Sequence, residues 1–173
     1  MWVFVLGDMV IFGGYFIIFM VYRHQQHAVF LESQQHLNLT VGVMNTLLLL
    51  ASSWFVARGV QAARTRDYDR SMRLTVLGGL CGVLFLLLKV YEWSTKVAQG
   101  LTFSHNDFFV FYYLLTGVHV FHVALGLVFL AVVYFNLRNP QLRRESMVET
   151  GATYWHMVDL LWVVIFALVY VMR

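Results

Sequence analysis

Apolar residues run through this chain in five long stretches, with the polar residues gathered in the short gaps between them. The stretches cover approximately Trp2–Tyr22, Leu39–Val60, Leu74–Trp93, Phe108–Phe135 and Ala152–Met172. Each reaches the roughly 20 residues a helix needs to cross about 30 Å of hydrocarbon. None shows the strict alternation of an outer-membrane barrel strand, and a continuous apolar run satisfies its backbone in lipid by becoming a helix. The pattern predicts an all-α integral membrane protein, a five-transmembrane-helix bundle forming one domain over residues 1–173. The fourth run is the longest and has length to spare for tilt. Met1 leads straight into the first run with no basic region and no small-residue cleavage site, so that segment reads as a retained helix rather than a signal peptide.

Composition agrees with this picture. Hydrophobic residues make up 60% of the chain and charged residues 12%, about half the charged share of a soluble domain. The formal net charge of +3 does not point to nucleic acid, because the basic residues sort by membrane side instead of covering one soluble face. Arg58, Arg64, Arg66, Arg70 and Arg73 lie about the gap between the second and third helices, and Arg138, Arg143 and Arg144 between the fourth and fifth. The gaps on the other side hold only Arg23 and Lys96. The positive-inside rule then places the N-terminus inside and the C-terminus outside, with Arg173 a mild exception at the outer end. The outer connection 23–38 is read as a polar loop whose His24, His27 and His36 are solvated surface, and the inner segment 61–72 as a solvated turn. The single Cys81 lies inside the third run, which leaves no disulfide framework and no cysteine-based metal site.

Ionisable groups inside the membrane carry the candidate chemistry, since each costs on the order of 3 kcal/mol near the bilayer centre unless it is partnered. Glu149, Ala152, His156 and Asp159 are spaced by 3, 4 and 3 and line one face of the fifth helix, flanked by Trp155 and Trp162. Thr116, His119 and His122 share a face of the fourth. Counting rise from the inner side puts His156 very roughly 10 Å deep and Asp159 15 Å, with His119, His122 and Asp8 at similar levels. An intramembrane polar network of His119, His122, Glu149, His156 and Asp159 is therefore expected to hold the last two helices in register. Lys89 and Glu92, one turn apart on the third helix, read as an ion pair, with Lys96 a second choice for Glu92. Gly78 and Gly82 offer a small-xxx-small spacing for close helix approach. Haem ligation is an open alternative. His119 and His122 lie on one face and cannot clamp a porphyrin between them, whereas His119 with His156 could.

Three segments together resemble subunit III of the haem–copper oxidase superfamily. The fourth helix reads Phe108-Phe109, then Thr116-Gly117-Val118-His119-Val120-Phe121-His122-Val123 and Gly126. The fifth reads Glu149, then Trp155-His156-Met157-Val158-Asp159-Leu160-Leu161-Trp162, and Tyr91-Glu92-Trp93 before Gly100 fits the approach to the fourth. The first helix, Leu6-Gly7-Asp8-Met9, is similar to the family helix bearing a buried carboxylate, usually Glu and here Asp8, one methylene shorter. The likeness spans essentially the whole chain and matches the last five helices of the seven-helix form. The pair that walls a lipid-holding cleft in long members has no counterpart in it. The compact motifs resemble most the branch of short proteins that accompany nitric oxide reductase.

The resemblance implies a non-catalytic subunit of a respiratory complex in the bacterial inner membrane, with no catalytic residue and no bound metal. Haem and copper are expected in the partner subunit I, which this chain would cover and stabilise among membrane lipid while supporting proton or oxygen access. The alternatives are an accessory protein of nitric oxide reductase, a stand-alone transporter, and a haem-binding membrane cytochrome.

Overall fold

The computed structural model describes residues 2–103, 106–141 and 143–172, with Trp2 and Phe4 described by their backbone alone. Met1 and Arg173, which bear on the retained first helix and the outer-end charge, lie outside the described residues. Among the described residues six α-helices follow one another: α1 (Trp2–Gln25), α2 (His27–Gln35), α3 (Leu39–Arg64), α4 (Tyr68–Ala98), α5 (Asp107–Arg138) and α6 (Glu145–Phe166). A π-helical turn, Ala167–Val171, ends α6. Among the described residues there is no strand, and all but α2 are long and apolar enough to span a membrane.

The spans agree with the apolar runs but reach further at most ends. The fourth predicted helix grows to Asp107–Arg138, and the third starts at Tyr68 and continues to Ala98. Hydropathy marks only the part of a helix in hydrocarbon, whereas the backbone ladder continues until a cap or turn stops it. Asp67 supplies such a cap, accepting the Arg70 amide at 3.2 Å, so the segment 61–72 shrinks to a tight turn with Arg66 in the left-handed region at φ 59°. Asn38 caps α3 in the same way from the Thr40 amide.

The connection 23–38 is not the loop its polarity suggested, because residues 27–35 form α2. That helix lies over the ends of the spans with Phe30, Ser33 and Gln34 buried beneath it. Gln34 Nε2 donates to the Val169 carbonyl at 3.0 Å and more weakly to Leu168 at 3.4 Å, so α2 clasps the π-helical turn. Asn106 donates to Ser33 Oγ at 2.8 Å, Gln26 to Asp107 at 2.9 Å, and Lys96 to the His36 carbonyl.

The helices α3, α4, α5 and α6 form a ring in which each touches its two neighbours, and α1 leans on α5 and α6 from outside. α6 is the central element: 61% of its most apolar window is buried, against 17% for α1 and 28% for each of the others. Close approach is bought with glycine. Ser52 Oγ on α3 donates to the Gly78 carbonyl at 2.7 Å, and a Cβ on Gly78 would stand 2.7 Å from Val56. Gly82 on α4 and Gly126 on α5 make the seat for Trp155 of α6, whose ring lies 2.6 Å and 2.8 Å from where their Cβ atoms would be.

Candidate functional site

The polar groups inside the spans fall into separate sets. At the α2 end, Lys89 and Glu92 sit one turn apart on α4, both buried, with Nζ 2.9 Å from Oε2. Tyr112 of α5 and Tyr170 of the π-helical turn complete the set. Lys89 donates to Tyr170 Oη at 2.8 Å and to Tyr112 Oη at 3.4 Å, while Tyr170 donates to Glu92 Oε1 at 2.6 Å. The rings of Tyr112, Trp162 and Tyr170 stand 5.0, 5.0 and 5.2 Å from the ammonium. An ammonium has three protons to place, and here each finds an oxygen, with aromatic faces excluding everything else. The spacing alone predicted the Lys89–Glu92 pair, but it gave no hint of the two tyrosines, which come from residues 23 and 81 positions further on. Lys96 turns instead to the His36 carbonyl.

The expected face-to-face set of α5 and α6 is distributed differently. Among the described residues, no hydrogen bond or ion pair joins any two of His119, His122, Glu149, His156 and Asp159; three of them meet a neighbour outside the set. His122 Nδ1 lies 2.7 Å from the Val118 carbonyl, and a carbonyl cannot donate, so Nδ1 carries a proton. Its Nε2 then faces Asp8 Oδ2 of α1 at 3.5 Å, within ion-pair reach but outside hydrogen-bond geometry. Glu149 pairs with Arg64 of α3 at 2.8 Å at the exposed Arg-rich end. His156 Nδ1 lies 2.6 Å from Ser53 Oγ of α3.

His119 and Asp159 are the unpartnered members. The His119 ring is fully buried, edge-on to Phe85 at 5.7 Å and tilted against Trp162 at 5.2 Å, and neither nitrogen has a protein hydrogen-bond partner. Asp159 is 4% exposed, and neither carboxylate oxygen accepts a hydrogen bond of normal geometry. The Ser53 hydroxyl is its polar neighbour. These buried ends are costly unless something completes them.

Hydroxyls, invisible to a search for charges, do much of the joining. Trp155 Nε1 donates to Ser52 Oγ at 3.0 Å, and Trp162 Nε1 to Thr46 Oγ1 at 3.1 Å, so two indoles of α6 are tied to α3. The spacing of Thr46 and Ser53 along one side of α3 was the available signal, and it reads like many membrane helices. Phe85 and Trp162 pack against the His119 ring, and His156 Nδ1 is engaged by Ser53. Among the described residues, no three His, Cys, Asp or Glu side chains are grouped to hold a metal ion.

Comparison with known proteins agrees with the family likeness. The family model described as cytochrome c oxidase subunit III matches residues 1–173. Cytochrome c oxidase subunit 3 of Synechocystis sp. is 33% identical over 172 residues, covering 98% of this chain and 72% of the relative. The protein of the same name from Thermostichus vulcanus is 28% identical over 173 residues, covering 98% and 84% of the two chains. That of Bacillus sp. is 28% identical over 173 residues, covering 99% and 83%. The family has no catalytic cofactor of its own and associates with other oxidase subunits. With five spans and a match along its whole length, this chain is a multi-pass bacterial membrane protein that belongs to the cytochrome c oxidase subunit III family, the non-catalytic third subunit of haem–copper oxidases.

Proposed function

We propose that this chain packs against the catalytic subunit I of a bacterial respiratory oxidase, stabilises it, and supports its proton or oxygen access. Haem and copper belong to subunit I in this reading, and membrane lipid covers the remaining helix faces. The observation that carries it is the family match along all 173 residues. The geometry lends support, because the spans spend most of their polar groups on one another and leave a bundle whose free surface is the flanks of its helices. The Arg-rich turns at the α3–α4 and α5–α6 ends favour an inner N-terminus and an outer C-terminus. Within the bundle, His122, Glu149 and His156 act on helix register one polar contact at a time, His119 through its ring packing and Asp159 beside Ser53, with Asp8 steadying α1 against His122.

Purification of the tagged chain in mild detergent, followed by identification of its partners, tests this reading. Oxidase subunits I and II are the expected companions. Nitric oxide reductase subunits would transfer the chain to the accessory branch that its compact Leu6-Gly7-Asp8-Met9 motif resembles, and purification without any respiratory subunit would overturn both.

A further inference from the structure

One set of polar groups remains open at the surface of the bundle. On α6, Thr153, His156, Leu160 and Val163 are spaced by 3, 4 and 3 and form the strip left uncovered by α3, α5 and α1. His156 stands some three turns into that helix, about 16 Å from its start at Glu145, which is well inside a span of this length. Its Nδ1 is taken by Ser53, but the ring is only partly buried and Nε2 makes no hydrogen bond among the described residues. Acyl chains offer neither donors nor acceptors, so lipid cannot complete it.

The proton count says what can. Ser53 has one hydroxyl proton and two neighbours that could use it, His156 Nδ1 and the unpartnered Asp159 carboxylate beneath. If Ser53 serves His156, Asp159 stays unserved. A donor offered from outside to His156 Nε2 places the imidazole proton on Nδ1, where it is given to Ser53 Oγ. That releases the Ser53 proton towards Asp159. An outside O–H or N–H therefore satisfies a line of three groups on two helices, the innermost of which is buried.

We infer that the α6 strip centred on His156, between α3 and α1, is the docking face for a membrane helix of a neighbouring oxidase subunit, one that presents a hydrogen-bond donor inside the membrane to His156 Nε2. This deepens the oxidase-subunit reading and rests on it. That family associates with other membrane subunits, and an apolar helix with one well-placed donor complements a strip whose lower half is polar and whose upper half is Leu160 and Val163. The opposite flank of the ring, along α4, offers nothing similar: Leu80, Leu84 and Leu87 are exposed there.

The test uses the assembled complex in native membranes. A photo-crosslinking phenylalanine derivative replaces Leu160, and in a second strain Leu84, followed by identification of each adduct. The expected result is an adduct between position 160 and one oxidase subunit, with only lipid captured at 84. In parallel, His156→Phe keeps ring volume but removes the acceptor, and should lower the co-purifying oxidase fraction roughly three- to tenfold, with His156→Gln recovering part of it. Adducts at 160 only with lipid, or only with a second copy of this chain, would overturn the inference, as would an oxidase adduct at 84 alone or full co-purification of His156→Phe. In all those cases oxidase subunits still co-purify with the unaltered chain and the functional reading stands. If none co-purifies with the unaltered chain, that reading falls and the inference with it.

Discussion

The Lys89 set and the His156 set are both polar, both inside the membrane and both anchored on α6 or its terminal turn, yet they are finished to different degrees. Around Lys89, four side chains from three elements exchange hydrogen bonds until every ammonium proton is placed, and aromatic rings close the outside. Around His156, the line runs through Ser53 towards Asp159 and stops short at both ends. A closed set can only hold its own helices together. An open one at a surface has capacity left for something else. Polar content alone therefore says little about where a membrane subunit meets its neighbours; the unspent hydrogen-bonding capacity of a partly exposed group says more.

This contrast can be broken by mutation. The largest effect is expected at the closed set. Replacing Glu92 by Gln or Lys89 by Ala leaves one buried charge uncompensated and should cost about 3–5 kcal/mol in bundle stability, read by denaturant titration of the purified chain in detergent. The double replacement Lys89→Met with Glu92→Leu should recover most of that loss, and a double variant as unstable as the singles would show that the pair is more than self-neutralising. A smaller loss, about 1–3 kcal/mol, is expected from Gly82→Ala or Gly126→Ala, where the added carbon meets the Trp155 ring, checked by the same titration and by a change in indole emission. Near the lower end comes Gln34→Ala, which removes the clasp on the π-helical turn. It should cost about 1 kcal/mol and speed amide exchange over residues 167–171 while exchange in α3 and α4 stays as it was. The smallest effect belongs to Arg64→Ala, about 0–1 kcal/mol and vanishing in high salt, because its partner Glu149 is exposed.

Much of the architecture was legible in the sequence because lipid imposes a simple rule on long apolar runs. All five spans appear where the runs lie, and the Lys89–Glu92 contact follows from spacing on one helix. Helix ends were less legible: Tyr68 and Ala98 lie beyond the apolar run, where caps rather than hydropathy decide. α2 was missed since its one apolar stretch, residues 28–31, is far too short to mark a span and is set among polar residues, and packing of Phe30 and Gln34 under it reveals why it is helical. In the candidate site, spacing marks the buried ionisable residues but not their neighbours. Spacing along α5 and α6 says which side chains share a face. It cannot say that His122 will meet α1, that His156 will meet Ser53, or that Trp162 will come between Phe85 and the Lys89 ammonium. Those are long-range facts, set by how glycine lets helices approach.

The seat of Trp155 has a mechanical consequence. Its ring is held between glycines of two different helices, and its indole proton is pinned to Ser52 on a third. Sliding α6 along its axis by even one residue, about 1.5 Å, would carry that ring off both glycines and against side chains that leave it no room. Axial play is therefore blocked from three sides at once. Any load applied to one flank of the bundle is passed to the others as displacement of a stiff body, like a key that turns only with its lock.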